Sequence, residues 1–122
     1  MKKGKILVVD NEIKICRILE ELLYKKGYSA RSAYSGAGAI ELLKNEKFDL
    51  VLCNYVMPKI SGFDVVKSLD VLENRPKVGI ITGWGERIDS KEREEMKVSF
   101  VIRKPIDFSE LMKQVDDTLF QD

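Results

Sequence analysis

The amino-acid sequence predicts an α/β fold in which five parallel strands alternate with five helices. Five short apolar runs recur along the 122 residues, and a helical pattern follows each run. The runs are nearly continuous rather than alternating, which is typical of strands covered on both faces. Right-handed crossovers between such strands place helices on both faces of one sheet. Ligand sites in sheets of this kind lie beyond the carboxyl ends of the strands.

Four of the predicted strands are strongly apolar, and the second is weaker. Ser29 and Arg31 interrupt the second run, so we expect that strand at an edge of the sheet. The predicted strands cover residues 5–9, 28–33, 50–53, 78–81 and 100–102.

Capping signals predict where three helices begin. Ser35 precedes the second helix, Ser61 and Asp64 have the spacing of a capping box at the third, and Asp107 and Glu110 repeat it at the fifth. The apolar positions of these helices are Ile40 and Leu43, then Val66 and Leu69, then Phe108, Leu111, Val115 and Leu119.

The first and fourth helices contrast in apolar content. Gly27 can end the first helix, because glycine accepts the left-handed conformation of a helix end. Residues 90–95 contain no apolar side chain, so the fourth helix, over residues 89–97, is expected to be short, exposed and mobile. The apolar face of the first helix consists of Ile13, Cys16, Leu19 and Leu23.

The composition predicts one domain without a strongly charged partner. A chain of this length can bury one apolar core, and we expect a single domain over residues 1–122 with no output domain. The net charge of +1 indicates neither nucleic acid nor a membrane surface as a partner. The sequence shows neither a signal segment nor an apolar stretch of membrane-spanning length, so we expect a cytoplasmic protein.

The two cysteines are expected to be structural. Cys16 lies on a helical apolar face and Cys53 in an apolar strand, which favours buried reduced thiols over a disulfide. The sequence contains no histidine, so the usual zinc ligand set is missing.

Polar residues follow the first, third, fourth and fifth predicted strands. They are Asp10 and Asn11, then Asn54, Thr82 and Lys104. Carboxylate and amide oxygens can ligate Mg²⁺, a hydroxyl can donate to a phosphoryl oxygen, and an ammonium can neutralise it. The set suits a phosphoryl group and a hard cation, but it lacks a nucleophile.

With these motifs in order along essentially the whole chain, the sequence resembles the response-regulator receiver family. The matching segments are residues 6–12 (ILVVDNE), 49–54 (DLVLCN) with Met57, Pro58 and Gly62, 81–83 (ITG), and Lys104-Pro105. The resemblance implies a flavodoxin-like sheet of strand order 2-1-3-4-5. It also implies an aspartate after the third strand that accepts a phosphoryl group from a histidine kinase or a phosphotransfer protein.

Carried over to this sequence, the resemblance places Asn54 at the phosphoacceptor position. It implies that Thr82 and Lys104 contact the phosphoryl group and that Lys104-Pro105 is a cis peptide bond. An amide nitrogen with a delocalised lone pair is a poor nucleophile, so we expect no phosphoryl group on Asn54 and no enzymatic activity.

The same resemblance implies a Mg²⁺ site formed by Asp10, Asn11, Asn54 and the backbone carbonyl of Val56. Asp10 is the single carboxylate in a set where the resemblance implies three. We therefore expect Mg²⁺ binding to be weak or absent.

Two aromatic residues affect how such a domain would signal. The family often has Tyr or Phe three residues before the lysine, where Val101 stands, whereas Phe100 points to the opposite face of its strand. Phe100 is therefore expected in the core, and coupling through a switch aromatic is in doubt. Trp84 fits either a functional role, over the pocket mouth or at a partner surface, or a cover over apolar surface near the fourth helix.

Two interpretations of the chain remain open. Retention of Asp10, Thr82 and Lys104 favours a phosphorelay receiver locked in its unphosphorylated state, whereas Asn11 and Val101 favour a natural pseudo-receiver that signals by binding. A Mg²⁺-dependent phosphotransferase on the same architecture would need an aspartate nucleophile, which is missing. By resemblance, the partners are a histidine kinase or phosphotransfer protein and a downstream protein that contacts the fourth helix, fifth strand and fifth helix.

Overall fold

The structure is a computed structural model that describes residues 3–120 as alternating strands and helices. The elements are β1 (Lys5–Val9), α1 (Ile13–Lys25), β2 (Ser29–Ala33), α2 (Gly36–Asn45), β3 (Leu50–Asn54), α3 (Gly62–Lys67), a 3₁₀ helix (Ser68–Val71), β4 (Lys77–Thr82), α4 (Ser90–Met96), β5 (Phe100–Arg103) and α5 (Phe108–Leu119). No helix within residues 3–120 is both long enough and apolar enough to cross a membrane.

The five strands form one parallel sheet of order β2-β1-β3-β4-β5, which confirms the predicted order and the edge position of β2. Strand register aligns the strand ends. Val9 lies opposite Cys53, so Asp10 and Asn54 follow at the same level. Thr82 lies opposite Arg103, so Lys104 comes one step beyond Thr82. The predicted polar residues therefore share one edge of the sheet.

Alternate strand residues build an apolar core on each face of the sheet. Leu7 and Val9 pack with buried residues of α2, α3 and α4, whereas Ile6 and Val8 pack with those of α1 and α5. Burial of one such side chain contributes about 1.5–3 kcal/mol, so the two layers hold the strand ends in place.

Side-chain caps fix the starts of the helices as the capping signals predict. The hydroxyl of Ser35 accepts a hydrogen bond from the Gly38 N–H, and that of Ser61 accepts one from the Asp64 N–H. The Asp107 carboxylate accepts one from the Glu110 N–H. Each bond satisfies a backbone donor that the first helical turn leaves unpaired.

Helix α4 is short and largely exposed, as predicted, and it has an anchor at each end. Asp89 accepts hydrogen bonds from the backbone N–H groups of Lys91 and Glu92, and Met96 is fully buried. By contrast, Ile13 departs from the predicted apolar face. It is 49% exposed because it is the first residue of α1, at the rim of the sheet, and burial on that face begins at Cys16.

Candidate functional site

Three buried polar or charged side chains, those of Asp10, Asn54 and Thr82, lie at the carboxyl edge of the sheet. Asp10 and Thr82 are fully buried and Asn54 is 6% exposed. Burying a polar group is unfavourable unless it finds a partner, so three such residues at neighbouring strand ends mark a functional site.

The two carboxylate oxygens of Asp10 have different surroundings. Oδ1 accepts a hydrogen bond of 2.8 Å from the Glu12 N–H. Oδ2 is buried and receives no hydrogen bond, and its nearest cation is the Lys104 Nζ at 3.5 Å. The Lys104 Nζ also lies 3.5 Å from the Glu12 Oε1. Lys104 therefore lies beside the carboxylates of Asp10 and Glu12. The Lys104-Pro105 peptide bond is cis, as the resemblance implies.

The Asn54 side chain turns its NH₂ group toward two oxygen atoms. Nδ2 donates to the backbone carbonyl of Val56 at 3.0 Å and to the Asn11 Oδ1 at 3.3 Å. The opposite amide orientation would place the Asn54 Oδ1 against the Val56 carbonyl, so two acceptors would face each other. The hydrogen bonds thus select this orientation.

These contacts decide whether the site fits a resident Mg²⁺. Asn11 and Val56 contribute the oxygens that Mg²⁺ would need, and both already accept N–H groups of Asn54. A metal ion would have to break both bonds and reverse the amide, with only the Asp10 carboxylate to attract it. The donor set does not fit a resident Mg²⁺.

Thr82 has a partner that the sequence did not reveal. Its Oγ1 donates to the Glu86 Oε1 at 3.1 Å, and the backbone N–H of Gly83 donates to the same oxygen at 2.6 Å. Glu86 belongs to the segment of residues 83–89 between β4 and α4, called here the β4–α4 loop. Two glycines within four residues, Gly83 and Gly85, were the only signal in the sequence that this loop turns sharply.

Tyr55 connects the site to α4, which sequence reasoning also missed. Its hydroxyl donates to the Glu92 carboxylate and accepts a hydrogen bond of 3.4 Å from the Asp89 N–H. Burial, together with the Glu92 carboxylate, raises the pKa of the Tyr55 hydroxyl. The residue after Asn54 thereby contacts the first turn of α4 directly.

The aromatic residues of β5 and the β4–α4 loop lie in different environments. Phe100 is 6% exposed and packs in the core on the α1 and α5 face, as predicted, whereas Val101 packs on the opposite face. Trp84 is 87% exposed. It does not cover apolar surface, which excludes the second of the two roles considered for it.

Both cysteines are free, buried thiols, as predicted. The Cys16 Sγ lies 3.4 Å from the Asp10 carbonyl oxygen, and the Cys53 Sγ lies 3.4 Å from that of Asn54. Burial raises the pKa of the Cys16 thiol to about 11 and raises the pKa of the Cys53 thiol as well. Both groups are therefore poor nucleophiles near neutral pH.

Comparisons with known proteins agree with this architecture. The family model described as "Response regulator receiver domain" matches residues 6–116. The chain is 31% identical over 115 residues to "Sporulation initiation phosphotransferase F" of Bacillus subtilis, and the match covers 94% of this chain and 93% of that protein.

Longer regulators contain a similar segment. The chain is 32% identical over 121 residues to "Transcriptional regulatory protein ZraR" of Salmonella typhimurium, covering 98% of this chain but only 27% of that protein. Among solved structures, a response regulator receiver domain protein from Clostridium thermocellum superposes with a TM-score of 0.84 at 25% identity, covering 95% of this chain and 94% of that one.

Proposed function

The chain belongs to the response regulator receiver domain family of two-component signalling, and we propose that it signals through protein contacts without a phosphoryl group on residue 54. Receiver domains exchange signals with histidine kinases or phosphotransfer proteins and with downstream effectors. In this proposal the chain keeps such partners, but binding rather than phosphorylation sets its state.

The arrangement of Asn54 carries the proposal. A phosphoacceptor needs an anionic oxygen free to attack phosphorus, whereas Asn54 presents a neutral amide. Both of its hydrogen bonds are to atoms that would otherwise ligate the cation, Asn11 Oδ1 and the Val56 carbonyl. The same side chain therefore removes the nucleophile and occupies the metal ligands.

A second candidate is a receiver that accepts a phosphoryl group when residue 54 is aspartate, with Asn54 locking the unphosphorylated state. It is supported by the retention of Thr82 and Lys104 at the strand ends, since a hydroxyl and an ammonium together are what a phosphoryl group needs. On this view the pocket chemistry is intact apart from the nucleophile and the Mg²⁺ ligands.

Intact-mass measurement after incubation with Mg²⁺ and acetyl phosphate tests the proposal. We expect no phosphoryl adduct on the chain as given. An adduct on Asn54→Asp alone would support the second candidate, because a carboxylate in place of the amide would then be enough for the pocket to accept a phosphoryl group. An adduct on neither protein would support the binding-only function, and an adduct on the chain itself would contradict both.

We place the output surface of this receiver on α4, β5 and α5, following the family resemblance. The link between Tyr55 and α4 supports that choice, since it joins the residue after Asn54 to the first turn of α4. Val101 lacks a polar group or aromatic ring to do this from β5. In this chain Tyr55 is therefore the proposed route from the pocket to α4.

A further inference from the structure

The Glu86 side chain occupies hydrogen-bond donors that the second candidate function would offer to a phosphoryl group. We infer that Glu86 is an internal carboxylate ligand of this anion site, formed by the Thr82 hydroxyl and the Gly83 N–H. The inference rests on the role proposed for Thr82. It implies that the site is filled by the chain's own carboxylate, which must leave before an external phosphate can bind the same donors.

The contact geometry supports an anion site. One oxygen, Glu86 Oε1, accepts from the Thr82 Oγ1 at 3.1 Å and from the Gly83 N–H at 2.6 Å. Hydrogen bonds to an ionised acceptor are roughly twice as strong as neutral ones. Thr82 is fully buried, so without this acceptor its hydroxyl would be left unsatisfied.

The backbone places Glu86 over these donors. The Glu86 N–H donates to the Gly83 carbonyl at 3.1 Å, which closes a four-residue turn, and Gly85 has a φ of +81° at its third position. A type II turn requires positive φ there, and glycine meets it without strain. Arg103 fixes the other side of the loop, since its Nη1 donates to the Glu86 carbonyl at 3.2 Å.

Gly83 also makes room for the carboxylate. A Cβ built on Gly83 would lie 2.9 Å from both the Glu86 Cδ and Oε2, closer than non-bonded atoms approach. Any larger residue at position 83 would force the end of the Glu86 side chain to shift. The sequence Thr-Gly-Trp-Gly-Glu over residues 82–86 thus supplies the donors, the space, the turn and the ligand.

Neutral donors, rather than a cation, hold the Glu86 carboxylate. Among residues 3–120 the Lys104 Nζ contacts Asp10 and Glu12, and no ion pair within 4.0 Å involves Glu86. The carboxylate therefore does not neutralise a basic side chain. Its contacts are those that an incoming phosphate oxygen would make.

Hydrogen exchange of the Gly83 amide, followed by NMR on the whole chain, tests the contact. We compare the parent with Glu86→Ala, which removes the carboxylate, and with Glu86→Asp, which keeps the charge but shortens the side chain. Exchange should be about tenfold faster in both variants, as expected when an amide loses a hydrogen bond to a charged acceptor. Glu94→Gln, a charge change at an exposed site on α4, should leave it unchanged. Parent-like exchange in both Glu86 variants would overturn the inference.

Titration with inorganic phosphate, monitored at the Thr82 and Gly83 amides, tests the competition. Glu86→Ala and Glu86→Asp should both respond at several-fold lower phosphate than the parent. If only charge matters, Glu86→Asp will behave like the parent, and the inference fails. It also fails if no variant responds, since the donors then accept no external anion. Neither readout depends on a phosphoryl adduct, so failure of the proposed function is detected separately by the mass measurement.

Discussion

The two sides of the pocket satisfy their polar atoms in opposite ways. On the side of Asn54, a neutral amide donates to the oxygens of Asn11 and Val56. On the side of Thr82, a carboxylate from Glu86 accepts from the hydroxyl and a backbone N–H. We call these the amide side and the hydroxyl side.

The difference indicates how one pocket could satisfy its polar atoms without two external ligands, a cation and a phosphoryl group. A receiver with three carboxylates has surplus negative charge that a cation offsets, whereas the amide side here supplies its own donor. The hydroxyl side has surplus donors that a phosphoryl group would use, and here the chain supplies its own anion. In the roles proposed for Asn54 and Glu86, each side contains a substitute for the ligand that it would otherwise bind.

Asn54→Asp should have the largest effect, because it breaks the amide side. The carboxylate would face the Val56 carbonyl and the Asn11 Oδ1 without a hydrogen to donate, next to the buried Asp10. We expect a loss of about 2–4 kcal/mol in the free energy of unfolding without metal, from two lost hydrogen bonds and like-charge repulsion. Urea unfolding measures this loss of stability, and Asn74→Asp, at an exposed position, is the control. Equal stabilities of the parent and Asn54→Asp would contradict the prediction.

Lys104→Met should have the next largest effect, since it removes the cation nearest the Asp10 Oδ2, which receives no hydrogen bond. Asp10 is 1% exposed and Lys104 is 22% exposed, so the pair is only partly screened by water. We expect a loss of about 1–2 kcal/mol, less than for a fully buried pair. Chemical unfolding of this variant beside Lys113→Met, at an exposed ion pair on α5, separates the site effect from a general charge effect. A match between the two variants would mean that Lys104 contributes little to stability.

Thr82→Val tests the hydroxyl side with a change of similar shape. The buried hydroxyl is removed, but the Glu86 carboxylate keeps its bond to the Gly83 N–H. We expect a loss of about 1 kcal/mol, the net value of one hydrogen bond. Thermal unfolding is the measurement, and Thr82→Ser, which retains the donor, is the matched control. A stabilised valine variant would show that Glu86 does not need the hydroxyl.

The smallest effect concerns the thiols of Cys16, near the Asp10 carbonyl, and Cys53, next to Asn54. Near pH 8 neither Cys16 nor Cys53 should react with a maleimide while the protein is folded, because both are buried and their thiol pKa values are raised. A raised thiol pKa favours the protonated, folded form. This contribution is present below the ordinary thiol pKa of about 9 and is lost as pH rises toward 11. Rapid labelling of one cysteine at pH 8 would show that the structure around that thiol opens locally.

The strand ends could be predicted from sequence because parallel strands bring their carboxyl ends to one edge. Asp10, Asn54, Thr82 and Lys104 each follow an apolar run, so no knowledge of side-chain contacts was needed to group them. Ile13 fitted the helical period, but the pattern did not show that the first turn of α1 lies at the rim of the sheet.

Glu86 and Tyr55 were missed for a different reason. Their roles depend on loop geometry and side-chain reach, which apolar runs do not reveal. Glu86 reaches Thr82 across a turn in which Gly85 takes a positive φ, and Tyr55 reaches Glu92 across 37 positions of sequence. Periodicity and strand order carry no information on such contacts.

Magnesium titration of the chain and of Asn54→Asp tests the central claim that the Asn54 amide takes the place of the cation. NMR signals of the Asn54 side-chain NH₂ group and of the Val56 and Asn11 amides report directly on the ligand atoms. We expect these signals in the chain to be unchanged at Mg²⁺ concentrations that saturate the aspartate variant. Saturable shifts in the chain at those same concentrations, with loss of the Asn54 hydrogen bonds, would contradict the account.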